Sequence, residues 1–161
     1  MLVKLDHPAI LSKVVDIISD LVTEVRMKIT DMGLSIVAMD PANVSMVGFW
    51  IPKTAFSEFE SGEEVLGVDL NNFKRILKRC GAGSSLLLEK KDNLLEIQIQ
   101  DRIRRNFTLS LIDIESEDKE MPKLEFSSQI ELNSIDLISA IEDCAIVGDS
   151  CSFIVKDGKF I

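Results

Sequence analysis

The chain has 161 residues, 46% of them hydrophobic, and a net charge of −9 from 18 basic and 27 acidic side chains. This composition excludes disordered and collagen-like proteins and predicts one or two small domains with a buried core. The acidic balance counts against nonspecific binding to nucleic acid, since phosphates attract Lys and Arg. No apolar run is long enough for a membrane span or a signal peptide.

A tetrapeptide of an apolar residue, a charged residue, Leu and then Asp or Asn occurs three times, at 3–6, 68–71 and 130–133. Each copy precedes a helical pattern, and each helix is followed by two apolar runs around a polar turn. The pattern predicts a strand, a helix and a β-hairpin, repeated three times. The predicted hairpin turns are residues 31–33, 92–93 and 157–158.

The first predicted helix covers residues 8–21, with Asp6 as its N-cap. The buried stripe of this first helix is predicted to be Ile10, Val14, Ile17, Ile18 and Leu21. Further along the chain, a strand is predicted over 44–51.

The second predicted helix begins at an N-cap, Asn71, and ends at Cys80. Its other face carries four cations within six residues, a pattern shared by solvated helix faces and by phosphate-contacting patches. The predicted core stripe is Phe73, Ile76, Leu77 and Cys80.

A strand is predicted over 103–112, where apolar and polar residues alternate. Arg105 breaks this alternation and indicates either a bulge or a site facing a partner. The third helix is predicted over 135–145, capped by Asn133 or Ser134. The buried residues of this third helix are predicted to be Leu137, Ile138, Ile141 and Cys144. The inner face of the strand at 103–112 is predicted to consist of Ile103, Phe107, Leu109 and Leu111.

The repeats predict a first domain over 1–112, an acidic connector over 113–124 and the beginning of a second domain over 125–161. Because a complete second domain would need two repeats, we expect 125–161 to have an incomplete core and the chain to be a shortened form of a longer one.

Sequence motifs for catalysis are weak. His7 stands alone beside a helix start, and no Ser or Cys nucleophile motif accompanies it. The connector carboxylates do not converge from rigid elements, as acid–base or two-metal chemistry requires. The three cysteines have no CxxC spacing or companion histidines, which argues against a zinc site. We therefore expect no enzyme activity, no cofactor and no metal.

Residues 33–47 (Gly-Leu-Ser-Ile-Val-Ala-Met-Asp-Pro-Ala-Asn-Val-Ser-Met-Val) and 51–56 (Ile-Pro-Lys-Thr-Ala-Phe) resemble the proliferating cell nuclear antigen family of sliding clamps. The similarity is greatest to the archaeal members and continues at 67–70, 75–79, 95–97 and 111–115. It implies an α+β DNA-clamp fold, in which helices line a ring of three protomers and antiparallel sheets lie outside. Cations inside such a ring guide the phosphates of DNA, so the negative net charge of the whole chain does not exclude DNA binding.

By this resemblance, the DNA-facing residues are cations of the first two helices. Ser12 and Ser19 stand where relatives often have Lys, and the third helix has Ser139 and Glu142 where a cation is common. The implied DNA-facing residues are Lys13, Lys74, Arg75, Lys78 and Arg79.

The resemblance also implies a pocket for partner peptides beneath the connector and a subunit interface at an edge strand. From the sequence alone, the strand residues of this pocket are equally compatible with ordinary packing in the core. The implied pocket residues are Met39, Asn43, Val44, Met46, Met121, Pro122 and Leu124. The implied interface residues are Arg105, Phe107, Leu109 and Leu111.

The implied function is that of a processivity factor that encircles double-stranded DNA after a clamp loader places it there. Its partners would be DNA polymerase, ligase and nuclease, in the cytoplasm of an archaeon or the nucleus of a eukaryote. The alternative is a subunit of a heterotrimeric ring or a checkpoint-type scaffold. The partner strand for ring closure would lie beyond Ile161, so we expect this chain not to close a ring by itself.

Overall fold

The computed structural model describes residues 1–115 and 121–161, which pack as two units, Met1–Met121 and Pro122–Ile161. The described part of the first unit has two helices, α1 (Ala9–Ile18) and α2 (Leu70–Leu77), and a short 3-10 helix, Lys53–Ala55. Its strands are β1 (Leu2–Leu5), β2 (Glu24–Thr30), β3 (Gly33–Met39), β4 (Met46–Pro52), β5 (Glu58–Glu60), β6 (Glu64–Asp69), β7 (Ser85–Lys91), β8 (Leu94–Gln100) and β9 (Arg104–Ser110).

The strands form two antiparallel sheets, ordered β5-β1-β7-β8-β9 and β4-β3-β2-β6. Two of the predicted hairpin turns are confirmed, because Thr30 pairs with Gly33 and Lys91 pairs with Leu94. Asp92 adopts a φ of 52°, which a tight turn requires and Asp tolerates. The predicted strands at 44–51 and 103–112 are confirmed as β4 and β9. The short strand β5 was not predicted.

One core cluster joins both sheets and both helices of the first unit. On α2, Leu70, Phe73 and Leu77 are fully buried and Ile76 is partly buried against the core. Cys80, which follows the end of the helix at Leu77, is also partly buried against the core. The burial of Phe73 and Leu77 confirms half of the predicted stripe. Burial of each large side chain contributes roughly 1.5–3 kcal/mol.

The predicted buried face of α1 is wrong in part. Leu11, Val15 and Ile18 are fully buried, whereas Ile10 and Ile17 are 65% and 60% exposed. The segment is apolar around most of its circumference, so periodicity favours two neighbouring stripes almost equally. Packing against the sheets decides between them.

Two predicted N-caps are also wrong. The N-cap residue of α1 is Pro8, which makes no side-chain capping bond, so Asp6 does not cap this helix. Helix α2 begins one residue before Asn71, and the Asp69 carboxylate accepts a hydrogen bond from the Asn72 N–H at 3.0 Å.

Arg105 neither forms a bulge nor breaks the strand pattern. The pairing of β9 with β8 is continuous, with Ile99 opposite Arg105. The inward face of the strand therefore begins at Arg105 and continues with Phe107 and Leu109, while Ile103 is exposed. The prediction that Ile103 is buried is wrong.

The second unit contains α3 (Ser134–Val147) and the hairpin β10 (Val155–Lys156) and β11 (Lys159–Phe160). Asn133 caps α3 by accepting the Ile135 N–H at 2.9 Å, as predicted. The predicted turn at 157–158 is confirmed, with a positive φ at both residues. No residue of α3 is buried, so its predicted buried stripe is wrong, and residues 130–133 form no strand.

The segment that follows β9 crosses to the other sheet at a glycine. The Ile112 N–H donates to the Gly67 carbonyl of β6 at 3.0 Å. A Cβ placed on Gly67 would lie 1.9 Å from the Ile112 carbonyl oxygen. The absence of a side chain at this position therefore allows the two backbones to meet.

We expect Gly67→Ala to lower the free energy of unfolding by about 1–3 kcal/mol, because the backbone at Ile112 must move to admit the methyl group. Chemical denaturation followed by circular dichroism measures the loss. The matched control is Gly62→Ala, where nothing lies within 4 Å of the added Cβ. Equal unfolding midpoints for the two variants would contradict the steric argument.

Candidate functional site

Helices α1 and α2 lie side by side and are joined by charged side chains. Lys74 of α2 places its Nζ 2.7 Å from Asp16 Oδ1 of α1, and Lys78 places its Nζ 3.1 Å from the same oxygen. Lys74 also donates to Ser19 Oγ at 2.8 Å and lies 4.0 Å from Asp20. One carboxylate therefore holds two of the five cations that were predicted to face DNA.

These contacts stabilise the charged forms of both partners. The ammonium groups of Lys74 and Lys78 lower the pKa of Asp16 below its ordinary value, and Asp16 raises the pKa of Lys74. The Lys74 side chain is only 23% exposed, whereas that of Lys78 is 58% exposed. Lys74 thus bridges the helices, and Lys78 extends from the bridge toward solvent.

The other three predicted cations are exposed. Lys13 lies on α1, Arg75 on α2, and Arg79 just after α2. Within residues 1–115 and 121–161, none of the three has a carboxylate within 4.0 Å. As far as the described residues go, these three cations are available to an external phosphate without breaking an ion pair.

A groove of about 660 Å³ runs between α2 and β9, with Arg75 and Arg79 among its lining residues. Phe107 and Leu109 contribute its apolar wall. Because β9 is the last strand of its sheet, one of its edges has no partner strand within the described chain. The groove therefore combines an open strand edge with two cations.

The residues predicted for the subunit interface have different environments. Leu109 and Leu111 are each 7% exposed and belong to the core, so their side chains are largely unavailable to a neighbour. Phe107 is partly buried and lines the groove. Arg105 donates to the Arg79 carbonyl at 3.1 Å and pairs with Asp101, which secures the end of α2 against β9.

The loop between β3 and β4 is organised by one carboxylate. Asp40 accepts hydrogen bonds from the N–H groups of Ser45 at 2.7 Å and Val44 at 2.8 Å, and a longer one from Ala42. These bonds, that from Ser45 first, lower the pKa of Asp40. Asn43 adopts a φ of 56°, and Val44 is left 83% exposed.

The residues predicted for the peptide pocket lie on both units. Met39 and Met46 pair across β3 and β4 and flank the loop that carries Asn43 and Val44. Met121 belongs to the first unit and covers Gly48 of β4, where a Cβ would lie 3.0 Å from its Cγ. Pro122 and Leu124 are exposed residues of the second unit.

Other sites are not indicated in the described part of the chain. No group of three or more His, Cys, Asp or Glu residues is placed to hold a metal ion there. Cys80, Cys144 and Cys151 form no disulfide, and burial raises the pKa of the Cys80 thiol. None of the helices in residues 1–115 and 121–161 is long and apolar enough to cross a membrane.

Comparison with known proteins agrees with the fold. The family described as proliferating cell nuclear antigen, N-terminal domain, matches residues 1–120. A DNA polymerase sliding clamp of Thermococcus gammatolerans is 40% identical over 144 residues, covering 88% of this chain. One from Pyrococcus horikoshii is 36% identical over 152 residues, covering 93%. The crystal structure of the PCNA2-PCNA3 complex from Sulfolobus tokodaii superposes with a TM-score of 0.82 and 29% identity, covering 99% of this chain and 66% of that one.

The arrangement of helices and antiparallel sheets is therefore the DNA-clamp fold, as the resemblance implied. The chain belongs to the proliferating cell nuclear antigen family. It spans 58% and 61% of the length of the two sliding clamps named above. Both of these relatives are named DNA polymerase sliding clamps.

Two structurally important carboxylates were not singled out from the sequence. Asp16 lies outside the apolar stripe that was predicted for the first helix, and nothing in the sequence around it indicates contacts with the second helix. Asp40 has a local signal, since Asp followed by Pro, Ala and Asn is typical of a turn in which the carboxylate accepts backbone N–H groups.

We expect the loop organised by Asp40 to loosen at low pH. Because the folded pKa of Asp40 is lowered, its stabilising effect is complete above the ordinary value of 3.8 and is lost as pH falls through the lower folded value. An NMR titration of the Val44 and Ser45 amides measures this change. Asp40→Ala is the control and should abolish the titration. A midpoint above 3.8 in the unmodified chain would contradict the assignment.

Proposed function

We propose that this chain is part of a ring-shaped sliding clamp that encircles double-stranded DNA and acts as a processivity factor for DNA polymerase. The observation that carries the proposal is the clamp fold combined with a local cluster of cations on α1 and α2, in a chain whose net charge is −9. In this assignment the acidic remainder of the surface does not oppose DNA, because screening limits its reach to about 10 Å.

The DNA contact is proposed to be nonspecific and carried by phosphates. Lys13, Arg75 and Arg79 have no ion pair among the described residues and are exposed. Lys78 has one ion pair and is more than half exposed. Cations of this kind position a duplex without reading its bases, which suits a protein that must slide.

Partner proteins are proposed to dock near the loop between β3 and β4. The support is a pair of methionines beside an exposed Val44, with Met121 lying on β4. Methionine side chains adapt to different ligands, which suits a surface for polymerase, ligase and nuclease peptides. The assignment of Pro122 and Leu124 to the peptide pocket stays a prediction from the family resemblance.

Ring assembly is proposed to use the free edge of β9, with Phe107 and the backbone of the strand contacting the neighbouring protomer. Strand addition to such an edge gives main-chain hydrogen bonds. A clamp loader would open and close the ring on DNA. The protein would act without catalysis of its own, in the cytoplasm if the source is archaeal.

We expect the double charge reversal Arg75→Glu plus Lys78→Glu to abolish stimulation of DNA polymerase on primed DNA, because it reverses the field where the duplex passes. Processivity is measured with the full-length protein and its clamp loader. A matched control is Lys156→Glu plus Lys159→Glu, the same change in net charge on the β10–β11 hairpin. Unchanged stimulation by the first variant would contradict the DNA-facing assignment.

We expect Val44→Glu to weaken binding of clamp-binding peptides by roughly tenfold, since it places a charge on an exposed apolar contact, where a lost hot spot costs about 1–2 kcal/mol. Isothermal titration with a peptide carrying an aliphatic residue and paired aromatics measures the loss. Val65→Glu, on the exposed side of β6, is the control. Equal peptide affinity in the two variants would contradict the docking surface.

A further inference from the structure

Asp16 has an unusual position for a residue on a surface proposed to face DNA. Its Oδ1 lies within 3.1 Å of two ammonium groups, those of Lys74 and Lys78. Within residues 1–115 and 121–161, the carboxylates that come within 4.0 Å of either lysine are Asp16 and Asp20. Asp20 contacts Lys74 alone, at the limit of this distance.

The geometry has two electrostatic consequences for a phosphate that approaches the helix pair. The phosphate must compete with Asp16 for Lys74 and Lys78, and it meets the negative charge of Asp16 beside them. Both effects lower the affinity of the surface for a polyanion. The Asp16 side chain is 49% exposed, so its charge acts on the solvent side of the helices as well as between them.

Serine at position 19 strengthens the hold on Lys74. Its hydroxyl accepts a hydrogen bond from Lys74 Nζ at 2.8 Å. Lys74 is thereby bound by the Asp16 carboxylate and the Ser19 hydroxyl, while Lys78 has one ion pair, with Asp16, among the described residues. Lys78 is therefore the cation whose availability depends most directly on Asp16.

We propose that Asp16 limits how tightly this helix surface holds DNA, by engaging Lys74 and Lys78 on the protein and by placing a negative charge between them. The inference rests on the proposed function and goes beyond it, because it assigns a positioning residue that tunes affinity downward. A clamp that slides needs a weak phosphate contact, and a built-in carboxylate provides one without removing the cations.

Asp16→Asn tests the proposal directly, since the amide keeps the shape of the side chain and removes its charge. Binding is measured by fluorescence anisotropy with a short labelled duplex of mixed sequence, over a series of sodium chloride concentrations. We expect an affinity gain of roughly tenfold at low salt and a log–log salt slope steeper by about 1–2, as one or two added phosphate contacts require. An unchanged slope and affinity would overturn the proposal.

Asp20→Asn is the matched control, with the same charge change at a second carboxylate near Lys74. Its side chain is 83% exposed and lies 4.0 Å from Lys74, so we expect less than a twofold gain in affinity. An equal gain in both variants would overturn the specific role of Asp16 and leave only a general charge effect. Asp16→Glu keeps the carboxylate and should retain the affinity of the unmodified chain.

Repeating Asp16→Asn in a Lys78→Gln background separates the two effects of Asp16, which are its hold on Lys78 and the negative charge that it adds to the surface. If Asp16 acts by holding Lys78, the gain shrinks to a few-fold in this background, whereas a full tenfold gain would overturn the holding mechanism. Thermal unfolding by circular dichroism shows whether each variant is folded. A loss of stability in Asp16→Asn with no change in salt slope would indicate a purely structural ion pair and also overturn the proposal.

The same titrations distinguish this inference from the proposed function. If Arg75→Glu plus Lys78→Glu binds duplex as well as the unmodified chain does, the DNA-facing surface itself is wrong. If that variant loses binding while Asp16→Asn behaves like the unmodified chain, the surface stands and only the role of Asp16 fails.

Discussion

The packing of α1 and α2 onto a core shared by two sheets is the constraint on which the other features of the first unit depend. Leu11 and Val15 anchor one helix, and Phe73 and Leu77 anchor the other, all of them fully buried. With these faces fixed, the remaining faces of the two helices must point toward each other or toward solvent. The charged residues of α2 are consequently divided between a neighbouring helix and an open groove.

This division separates the basic residues into two groups with different chemistry. Lys74 is engaged by α1, and Lys78 shares the same carboxylate, whereas Arg75 and Arg79 lie along the groove beside β9. An exposed ion pair contributes little to stability, typically 0–1 kcal/mol. The effect of Asp16 on an incoming polyanion is therefore of greater interest than its effect on folding.

The glycine crossing and the Asp40 loop show how backbone contacts position the other surfaces. Gly67 lets the segment after β9 approach β6, which fixes the path of the chain toward the connector. Asp40 replaces missing backbone partners in the loop and holds Val44 outward. In both places a short-range steric or hydrogen-bonding requirement determines which apolar side chains remain accessible.

Sequence alone determined the repeated strand, helix and hairpin of the first unit, the hairpin turns, the basic character of α2 and the family. These features have local causes: alternation, helical spacing, turn chemistry and a long shared motif. The buried side of α1 was decided only by the tertiary structure, because Ile10 and Ile17 are as apolar as Leu11 and Val15. The inward position of Arg105 was likewise decided by the folded arrangement of its partners, which are the Arg79 carbonyl, 26 positions away along the chain, and Asp101, in the turn before β9. The contact of Asp16 with Lys74 and Lys78 joins residues more than fifty positions apart, and only the packing of the two helices brings them together.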